Sequence, residues 1–243
     1  MNNHIFGIHT IIEALRAETQ IEKIYLLKTT PNERLSELRT LAMKNQVPLQ
    51  YVPAEKLQTL AFKGNHQGAV ATISTLFYQS LEDIIKATLE AKKVPLFVML
   101  DGVTDVRNVG AVARSMECMG ANALIIPLSG GAALNADAMK VSAGALNYLP
   151  VCREKHLLDA VYLLKEYGVQ LIACTEKAKE SFFAVNFTEP TCLILGSEEK
   201  GISSSLLKAA SQQVKIQMQG QISSLNVSVA AGMMLSEVAR QRQ

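Results

Sequence analysis

The sequence predicts an α/β protein built around a mostly parallel β-sheet with helices on both faces. Runs of consecutive apolar residues such as Leu96–Leu100 are typical of strands that are buried on both sides. Segments with apolar residues at helical spacing separate these runs, and such alternation favours a parallel sheet covered by helices. The composition, 49% hydrophobic and 19% charged over 243 residues, supports a substantial core and argues against long disordered segments.

Residues 1–74 form a predicted small α/β domain, because helix and strand patterns alternate over short distances there. The pattern first predicts a helix with Ile8, Ile11, Ile12 and Leu15, followed by a strand at Ile24–Leu27. A second helix is predicted after Asn32, with Leu35, Leu38 and Leu41. An extended segment at Pro48–Val52 and a strand at Ala69–Ile73 complete the domain. The pattern weakens over residues 75–94, which we interpret as a linker. Around Leu81–Ile85, a loop and a solvated helix fit equally well.

Residues 95–243 form the second predicted domain, with stronger alternation of strands and helices. The predicted strands are Leu96–Leu100, Ala123–Ile126, Val169–Ala173, Cys192–Leu195 and Val214–Met218, and a helix is predicted over 157–164. Ligands of parallel sheets bind at the carboxyl ends of the strands. Functional residues are therefore expected after Leu100, Leu195 and Met218.

Charge and cysteine content exclude several classes of function. Twenty-four Lys and Arg residues against 22 Asp and Glu residues give a net charge of +2, so any basic RNA-binding surface must come from local arrangement. The four cysteines are widely spaced, which favours buried free thiols and argues against zinc or a redox dithiol. The sequence shows neither a secretory signal nor an apolar run of membrane-spanning length, so we expect a cytoplasmic protein.

Three polar segments follow predicted strands. In Asp101–Arg114, Asn108 is a predicted helix cap, Gly110 allows close approach of another backbone, and Arg114 lies outside the apolar stripe of the helix. Taken alone, Arg114 is most simply an ordinary solvated arginine. In Gly196–Gly201, two glycines bracket Glu198, a pattern that also fits a plain strand-to-helix connection.

The third segment, Ser224–Ser228, opens a long helix. Ser223, Ser224 and Asn226 offer hydroxyl and amide groups suited to an anion or a ribose. The small and apolar residues of this helix are compatible with close packing within the chain or across a dimer. No segment carries the glycine fingerprint of a dinucleotide fold or a P-loop, so a nucleotide-dependent oxidoreductase is poorly supported.

In order and spacing, these segments resemble the signature motifs of the SpoU family of RNA ribose methyltransferases, within the knotted SPOUT superfamily. The residues that match are Asp101–Arg114, the G-x-E-x-x-G run at Gly196–Gly201 and the S-L-N-V-S run at Ser224–Ser228. Phe6–His9 and Glu13–Leu15 resemble the ribosomal-protein-like RNA-binding domain that precedes the catalytic domain in many members. The resemblance therefore covers nearly the whole chain.

The resemblance implies a trefoil knot in residues 95–243, S-adenosylmethionine as cofactor, no metal, and a homodimer whose active sites use both subunits. It implies methyl transfer to a ribose 2′-hydroxyl, and the architecture favours a guanosine of 23S ribosomal RNA. The catalytic residues that it implies are Arg114, Asn108, Glu198, Ser224 and Asn226. Cofactor-binding residues are Leu195, Gly196, Ile216, Met218, Leu225 and Asn226, and RNA-binding residues are Gly7, His9 and Arg114.

Family resemblance assigns proton removal to Arg114, with Glu198 orienting its guanidinium. An arginine normally stays protonated, so stabilising a developing oxyanion or clamping a phosphate is chemically easier for it, and both roles stay open. Three positions depart from the family pattern: Val106 and Gln217 replace prolines, and Asn147 replaces a glutamate. The alternatives to a 23S rRNA enzyme are a tRNA ribose methyltransferase of the same family and an RNA-binding protein without catalysis.

Overall fold

The computed structural model describes residues 4–17, 19–28, 33–73, 76–222 and 224–243, which divide between two compact units, Met1–Phe77 and Tyr78–Gln243. Each unit is built on its own β-sheet with its own helices. The predicted α/β class with a mostly parallel principal sheet is confirmed. The trefoil knot implied by the resemblance stays a prediction.

The first unit carries a four-stranded sheet in the order β1-β4-β2-β3. Its elements are β1 His4–Phe6, α1 Ile8–Arg16, β2 Ile21–Leu27, α2 Glu33–Lys44, β3 Leu49–Val52, α3 Ala54–Leu60 and β4 Ala69–Ile73. Strand β4 is antiparallel to β1 and β2, whereas β2 and β3 are parallel. The predicted stripe of α1, from Ile8 to Leu15, is buried and packs with α2 in one core. Asn32 lies outside the described residues.

The second unit carries a seven-stranded sheet in the order β7-β6-β5-β10-β8-β11-β9, and every strand pair is parallel. Its elements are α4 Leu81–Glu90, β5 Leu96–Asp101, α5 Val106–Cys118, β6 Ala123–Pro127, α6 Ala136–Val141, β7 Val151–Glu154, α7 Leu157–Glu166, β8 Gln170–Cys174, β9 Glu180–Ser181, β10 Thr191–Gly196, α8 Ser204–Ala209, β11 Gln212–Lys215 and α9 Val227–Gln241.

Helices cover both faces of this sheet. Phe97 and Met99 of β5 pack in one cluster with α4, α7 and α8. Val98 and Leu100 are equally buried and, because successive strand residues point to opposite faces, they face the other layer. Helix α9 contacts β10 and packs against α5. The central strands β5 and β10 are therefore shielded from water on both sides, as their apolar sequences predict.

Three local expectations need correction. The interpreted linker contains α4, whose Leu81 and Ile85 pack into the core of the second unit because they lie on one helical face. The strand predicted to run to Met218 ends at Lys215, where its pairing with β8 and β9 ends. Among the four free cysteines, Cys118 is exposed, because it lies at the end of α5.

Among the described residues, no helix combines the length and apolar character needed to cross a membrane.

Arg242, next to the end of α9, fastens that helix to the segments that precede the two central strands. Its Nε donates to the carbonyl oxygen of Phe187 at 2.8 Å, and Nη1 donates to that of Val94 at 2.9 Å. Its Nη2 donates to the carbonyl oxygens of Glu189 at 2.8 Å and Pro95 at 3.1 Å. One guanidinium thus satisfies four backbone acceptors, at the amino ends of β5 and β10.

Replacing this guanidinium should destabilise the second unit. We expect Arg242→Met to lower the free energy of unfolding by about 2 kcal/mol or more, because four carbonyls lose a charged donor. Arg242→Lys should recover part of the loss, since an ammonium cannot reach all four acceptors at once. Arg107→Met is the matched control: Arg107 is exposed and forms its ion pair with the neighbouring Asp105, so less than about 1 kcal/mol is expected. Equal losses in Arg242→Met and Arg107→Met, measured by denaturant unfolding, would contradict this role.

Candidate functional site

The three polar segments meet at the carboxyl end of the central strands. Gly196, the last residue of β10, lies beside Asp101, the last residue of β5. The backbone N–H of Ser197 donates to the carbonyl oxygen of Asp101 at 3.0 Å, and that of Ser203 donates to Asp101 Oδ2 at 2.7 Å. Two hydrogen bonds therefore hold the loop that follows β10 against the end of β5.

A tight turn follows β10. Ser197 and Gly201 form an antiparallel bridge, and the N–H of Gly201 donates to the carbonyl oxygen of Ser197 at 2.8 Å. A Cβ atom placed on Gly196 would lie 2.1 Å from the carbonyl carbon of Gly201. Gly201 itself has φ +67°, a left-handed conformation that favours glycine. The turn that projects Glu198 therefore requires both glycines.

Helix α5 begins one turn earlier than its predicted cap. Asp105 is the N-cap, and its Oδ1 accepts the backbone N–H of Arg107 at 2.8 Å. Hydrogen bonds from the side chain and backbone of Arg107 hold the pKa of Asp105 below its usual range. The predicted cap Asn108 is wrong: it lies inside the helix, with its amide free to reach out of it.

Asn108, Glu198 and Asn226 form a closed hydrogen-bonded triangle that joins the three segments. Glu198 Oε1 accepts from Asn226 Nδ2 at 2.6 Å and from Asn108 Nδ2 at 3.2 Å. Asn226 Nδ2 also donates to Asn108 Oδ1 at 2.9 Å. The other end of the Asn226 amide caps α9, since its Oδ1 accepts the N–H of Ser228 at 2.9 Å. Three residues, up to 118 positions apart, are thereby fixed in one arrangement.

Arg114 lies on the exposed side of α5, as its position outside the apolar stripe predicts. Among the described residues it forms neither a hydrogen bond nor an ion pair. The expectation that Glu198 orients Arg114 is not met within one chain, because the two amides bind Glu198 Oε1 instead. Gly110 does allow the predicted close approach: a Cβ there would lie 3.0 Å from the carbonyl oxygen of Ala138 in α6.

A first cavity of about 270 Å³ lies beside this triangle. Five of the six predicted cofactor-binding residues line it, namely Leu195, Gly196, Ile216, Met218 and Leu225. The sixth, Asn226, lies between the lining residues Leu225 and Val227. Met218, which lines this cavity, forms no backbone–backbone hydrogen bond within the described part of the chain, and neither does its neighbour Gln217. The cavity thus has apolar and polar lining residues, together with main-chain groups of Met218 that no other backbone group occupies.

A second cavity of about 650 Å³ shares Ser197–Gly201 and Val227 with the first. Most of its other lining residues lie between the end of β5 and the start of α5, from Asp101 to Asn108, and the remaining two are Gly130 and Ser203. Glu198 therefore lies where the two cavities meet. Ser224 lines the first cavity and is exposed, whereas Ser223 lies outside the described residues.

Sequence reasoning missed the wall of the first cavity that follows β8, formed by Cys174, Thr175, Glu176 and Lys177. Burial, with the charge of Glu176, raises the pKa of the Cys174 thiol to about 11, so the thiol is protonated at neutral pH. The only available signal was the position of this segment at the carboxyl end of a predicted strand.

Among the described residues, no group of three or more His, Cys, Asp or Glu side chains could hold a metal ion.

The departures from the family pattern are placed as follows. Val106 is the first residue of α5, and Gln217 lies in the segment with free main-chain groups. Asn147 Nδ2 donates to the carbonyl oxygen of Gly144 at 3.0 Å, so this amide stabilises its own turn.

In the first unit, Gly7 and His9 lie at the start of α1. Gly7 is the N-cap, with φ +95°, and supplies no side-chain acceptor. The His9 side chain is exposed. Of the two RNA-binding residues predicted in this unit, His9 is therefore exposed and Gly7 is buried.

Two family profiles match the chain. One, described as the SpoU rRNA Methylase family, matches residues 95–236, more than half of the chain. The other, described as RNA 2′-O ribose methyltransferase substrate binding, matches residues 4–79.

Individual proteins are similar over almost the whole chain. A 23S rRNA (guanosine-2′-O-)-methyltransferase RlmB of Photobacterium profundum is 33% identical over 243 residues, covering 100% of this chain and 99% of the relative. An uncharacterized tRNA/rRNA methyltransferase of Mycobacterium sp. (strain KMS) is 33% identical over 241 residues, which are 98% of this chain and 76% of the relative. The SpoU methyltransferase AviRb from Streptomyces viridochromogenes, solved in complex with AdoMet, shares the fold with a TM-score of 0.62 at 24% identity. The superposition covers 98% of this chain and 90% of AviRb.

Substitution of Gly196 should disrupt the turn that carries Glu198. We expect Gly196→Ala to lower the free energy of unfolding by about 3 kcal/mol, because the new methyl group overlaps main-chain atoms that cannot rotate away. Gly220→Ala is the matched control, since a Cβ at Gly220 meets no atom within 4 Å. Denaturant unfolding of both variants decides the point, and a Gly196→Ala protein as stable as the control would refute the proposed constraint.

Proposed function

The chain belongs to the SpoU rRNA methylase family, and from that premise we propose that it transfers a methyl group from S-adenosylmethionine to a ribose 2′-hydroxyl of RNA. The observation that carries the proposal is the triangle of Asn108, Glu198 and Asn226, at the junction of two cavities. A cofactor in the first cavity and a ribose in the second would meet at this junction. The proposed catalytic residues are Arg114, Asn108, Glu198, Ser224 and Asn226.

The residues of the first cavity fit S-adenosylmethionine. Leu195, Ile216 and Leu225 offer an apolar slot for a flat base, and the main-chain N–H and C=O groups of Met218, which lines the same cavity, match the polar edge of adenine. When bound, the cofactor supplies an electrophilic methyl group carried on a sulfonium sulfur. Glu198 offers a negative charge at the rim of this cavity, which favours a cationic ligand.

The protein contributes position and charge to the transfer. Asn108, Asn226 and the Ser224 hydroxyl hold the ribose so that its oxygen faces the methyl group, and orientation of this kind supplies a large share of the rate. Negative charge would develop on the ribose oxygen as its proton passes to solvent water. The cationic guanidinium of Arg114 stabilises that charge or the adjacent phosphate.

The substrate that the comparisons favour is a guanosine of 23S rRNA. The alignment with the Photobacterium relative, which is named for that activity, covers almost all of both chains. It includes the region that matches the substrate-binding profile. We assign RNA binding to residues 1–74, with Gly7 and His9 in contact with RNA, and catalysis to residues 95–243. The Mycobacterium relative, named for tRNA or rRNA, keeps tRNA as the second candidate.

We further propose that the active enzyme is a homodimer with shared sites. Arg114 has no partner among the described residues of its own chain, so its guanidinium is available to bind a group of a second chain. Helix α9 exposes Val229 and Met233, with 49% and 39% of their surfaces accessible, and Met119 follows α5 with 41% accessible. These apolar side chains lie on and beside two helices that pack together, as expected of a surface that a second copy covers.

Removing Arg114 should abolish transfer without abolishing cofactor binding. We expect the intact protein to bind about one S-adenosylmethionine per chain and to methylate unmodified 23S rRNA, measured with tritiated cofactor and by mapping of ribose methylation. Arg114→Ala should lower kcat about a hundredfold or more, while cofactor affinity in calorimetry stays unchanged. Arg16→Ala is the control, because Arg16 is already paired with two glutamates.

Each outcome of this experiment is informative. Wild-type turnover in Arg114→Ala would overturn the mechanism. Transfer to tRNA in place of rRNA would favour the second substrate, and RNA binding without any transfer would favour a protein that lacks catalysis.

Mixed dimers test whether one site uses two chains. Leu225→Trp should fill the first cavity and block the cofactor, whereas Arg114→Ala leaves that cavity open. Each variant alone should be inactive. In a refolded one-to-one mixture, random pairing restores one complete site in half of the dimers, so about a quarter of wild-type activity should return. Heterodimers that are detected by native mass spectrometry but stay inactive would contradict shared sites, and so would a monomeric, fully active enzyme.

A further inference from the structure

The loop between α3 and β4, residues 61–68, exposes an aromatic ring that the fold does not use. Phe62 has 64% of its surface accessible, although a phenylalanine gains stability by burial. Three backbone hydrogen bonds fix the loop, from the N–H groups of Phe62, Lys63 and Gly64 to the carbonyl oxygens of Thr59, Gln58 and Ala61. The Phe62 ring is therefore exposed to solvent although the backbone of its loop is fixed by hydrogen bonds.

The backbone at this point is strained. Phe62 and Lys63 have φ values of +51° and +64°, so two consecutive residues with side chains adopt the left-handed conformation. This conformation is unfavourable for residues other than glycine, and it costs most for bulky ones. Strain of this kind persists where the surrounding structure enforces it, and it is concentrated at functional sites. Together, strain and exposure indicate a role for the Phe62 ring outside the core.

The loop lies against the start of the first unit. The His4 and Phe62 rings meet edge to face, with centroids 6.4 Å apart. The Phe6 ring packs so closely on Gly64 that a Cβ there would lie 2.6 Å from it. The backbone of Asn65 and the side chain of Gln67 lie near Gly7. The loop thus extends the surface that carries Gly7 and His9.

The charge of this surface is positive. Segments 4–10 and 53–68 contain Lys56 and Lys63, three of the four histidines of the chain, and a single acidic residue, Glu55. Burial, with the charge of Lys56, lowers the pKa of His4, which favours its neutral form, whereas Lys56 and Lys63 contribute positive charge. An exposed ring beside lysines is the arrangement by which proteins bind unpaired nucleotides, with the base on the ring and the phosphate at the cation.

We propose that Phe62 stacks on an unpaired base of the RNA substrate, with Lys63 and Lys56 at the neighbouring phosphates. This inference rests on the proposed function, because it takes the occupant of the first unit to be RNA. A duplex has no free base face to offer, so the occupant is a single-stranded loop or bulge of the substrate.

The experiment compares full-length variants in RNA binding and in methyl transfer. Phe62→Ala should weaken binding of a 23S rRNA transcript about tenfold in fluorescence anisotropy and raise the KM for RNA by a similar factor, because stacking on one base is lost. The kcat at saturating RNA and the affinity for S-adenosylmethionine should not change. Phe62→Tyr, which keeps a ring, should restore binding, whereas Phe62→Leu should not.

Met43→Ala is the control, because Met43 in α2 is an apolar side chain that is more exposed than Phe62, with 75% of its surface accessible. Thermal unfolding should show at most a small loss of stability, from the edge contact with His4. Wild-type binding by Phe62→Ala, or restoration by Phe62→Leu, would overturn the stacking role, and a loss confined to self-association would assign the ring to a second copy of the chain. Failure of the proposed function is a separate outcome, since the wild-type protein would then transfer no methyl group, whatever the variants bind.

Discussion

The contact between Gly196 and Gly201 is the constraint on which the rest of the site depends. Main-chain atoms of Gly201 occupy the space that any side chain at Gly196 would need, so the chain can turn back directly after β10. The turn brings Glu198 between two cavities and within hydrogen-bond distance of Asn108 and Asn226. Because Asn226 also caps α9, a displaced turn would disturb the start of that helix as well. A missing Cβ thus sets the relation between three distant segments.

Elements whose signals are local could be predicted from the sequence. The apolar run of β5 and the stripe of α1 predicted both elements, because burial leaves a period that a short window reveals. The cap of α5 was mispredicted for an equally physical reason. Asp105 and Asn108 are both good cap residues, and propensity does not choose between them. What decides is the long-range bond from Asn108 to Glu198, ninety positions away.

Non-local pairing accounts for most of what the sequence does not reveal. Strand β10 follows β8 and β9 in the chain but lies between β5 and β8, so the central pair of the sheet joins strands that are far apart in sequence. Neither hydrophobic periodicity nor composition encodes strand order. Cys174 lines the cavity because β8 lies next to β10 in the sheet, which the sequence does not reveal. The resemblance to a family supplied the site residues, because it carries the outcome of such long-range pairing. Their catalytic roles stay predictions.

Catalysis and assembly are coupled in the proposed enzyme through the environment of Arg114. Arg114 is exposed to water and has no partner among the residues that the structure describes, so the solvent weakens its effect on a neighbouring negative charge. The same charge acts more strongly where a covering surface excludes water and fixes its direction. In the proposed dimer, burial of Val229 and Met233 supplies the free energy of association, and α9, which carries them, packs against the helix of Arg114. In that proposed dimer, the apolar helix face and Arg114 would serve one event, the completion of a site from two chains.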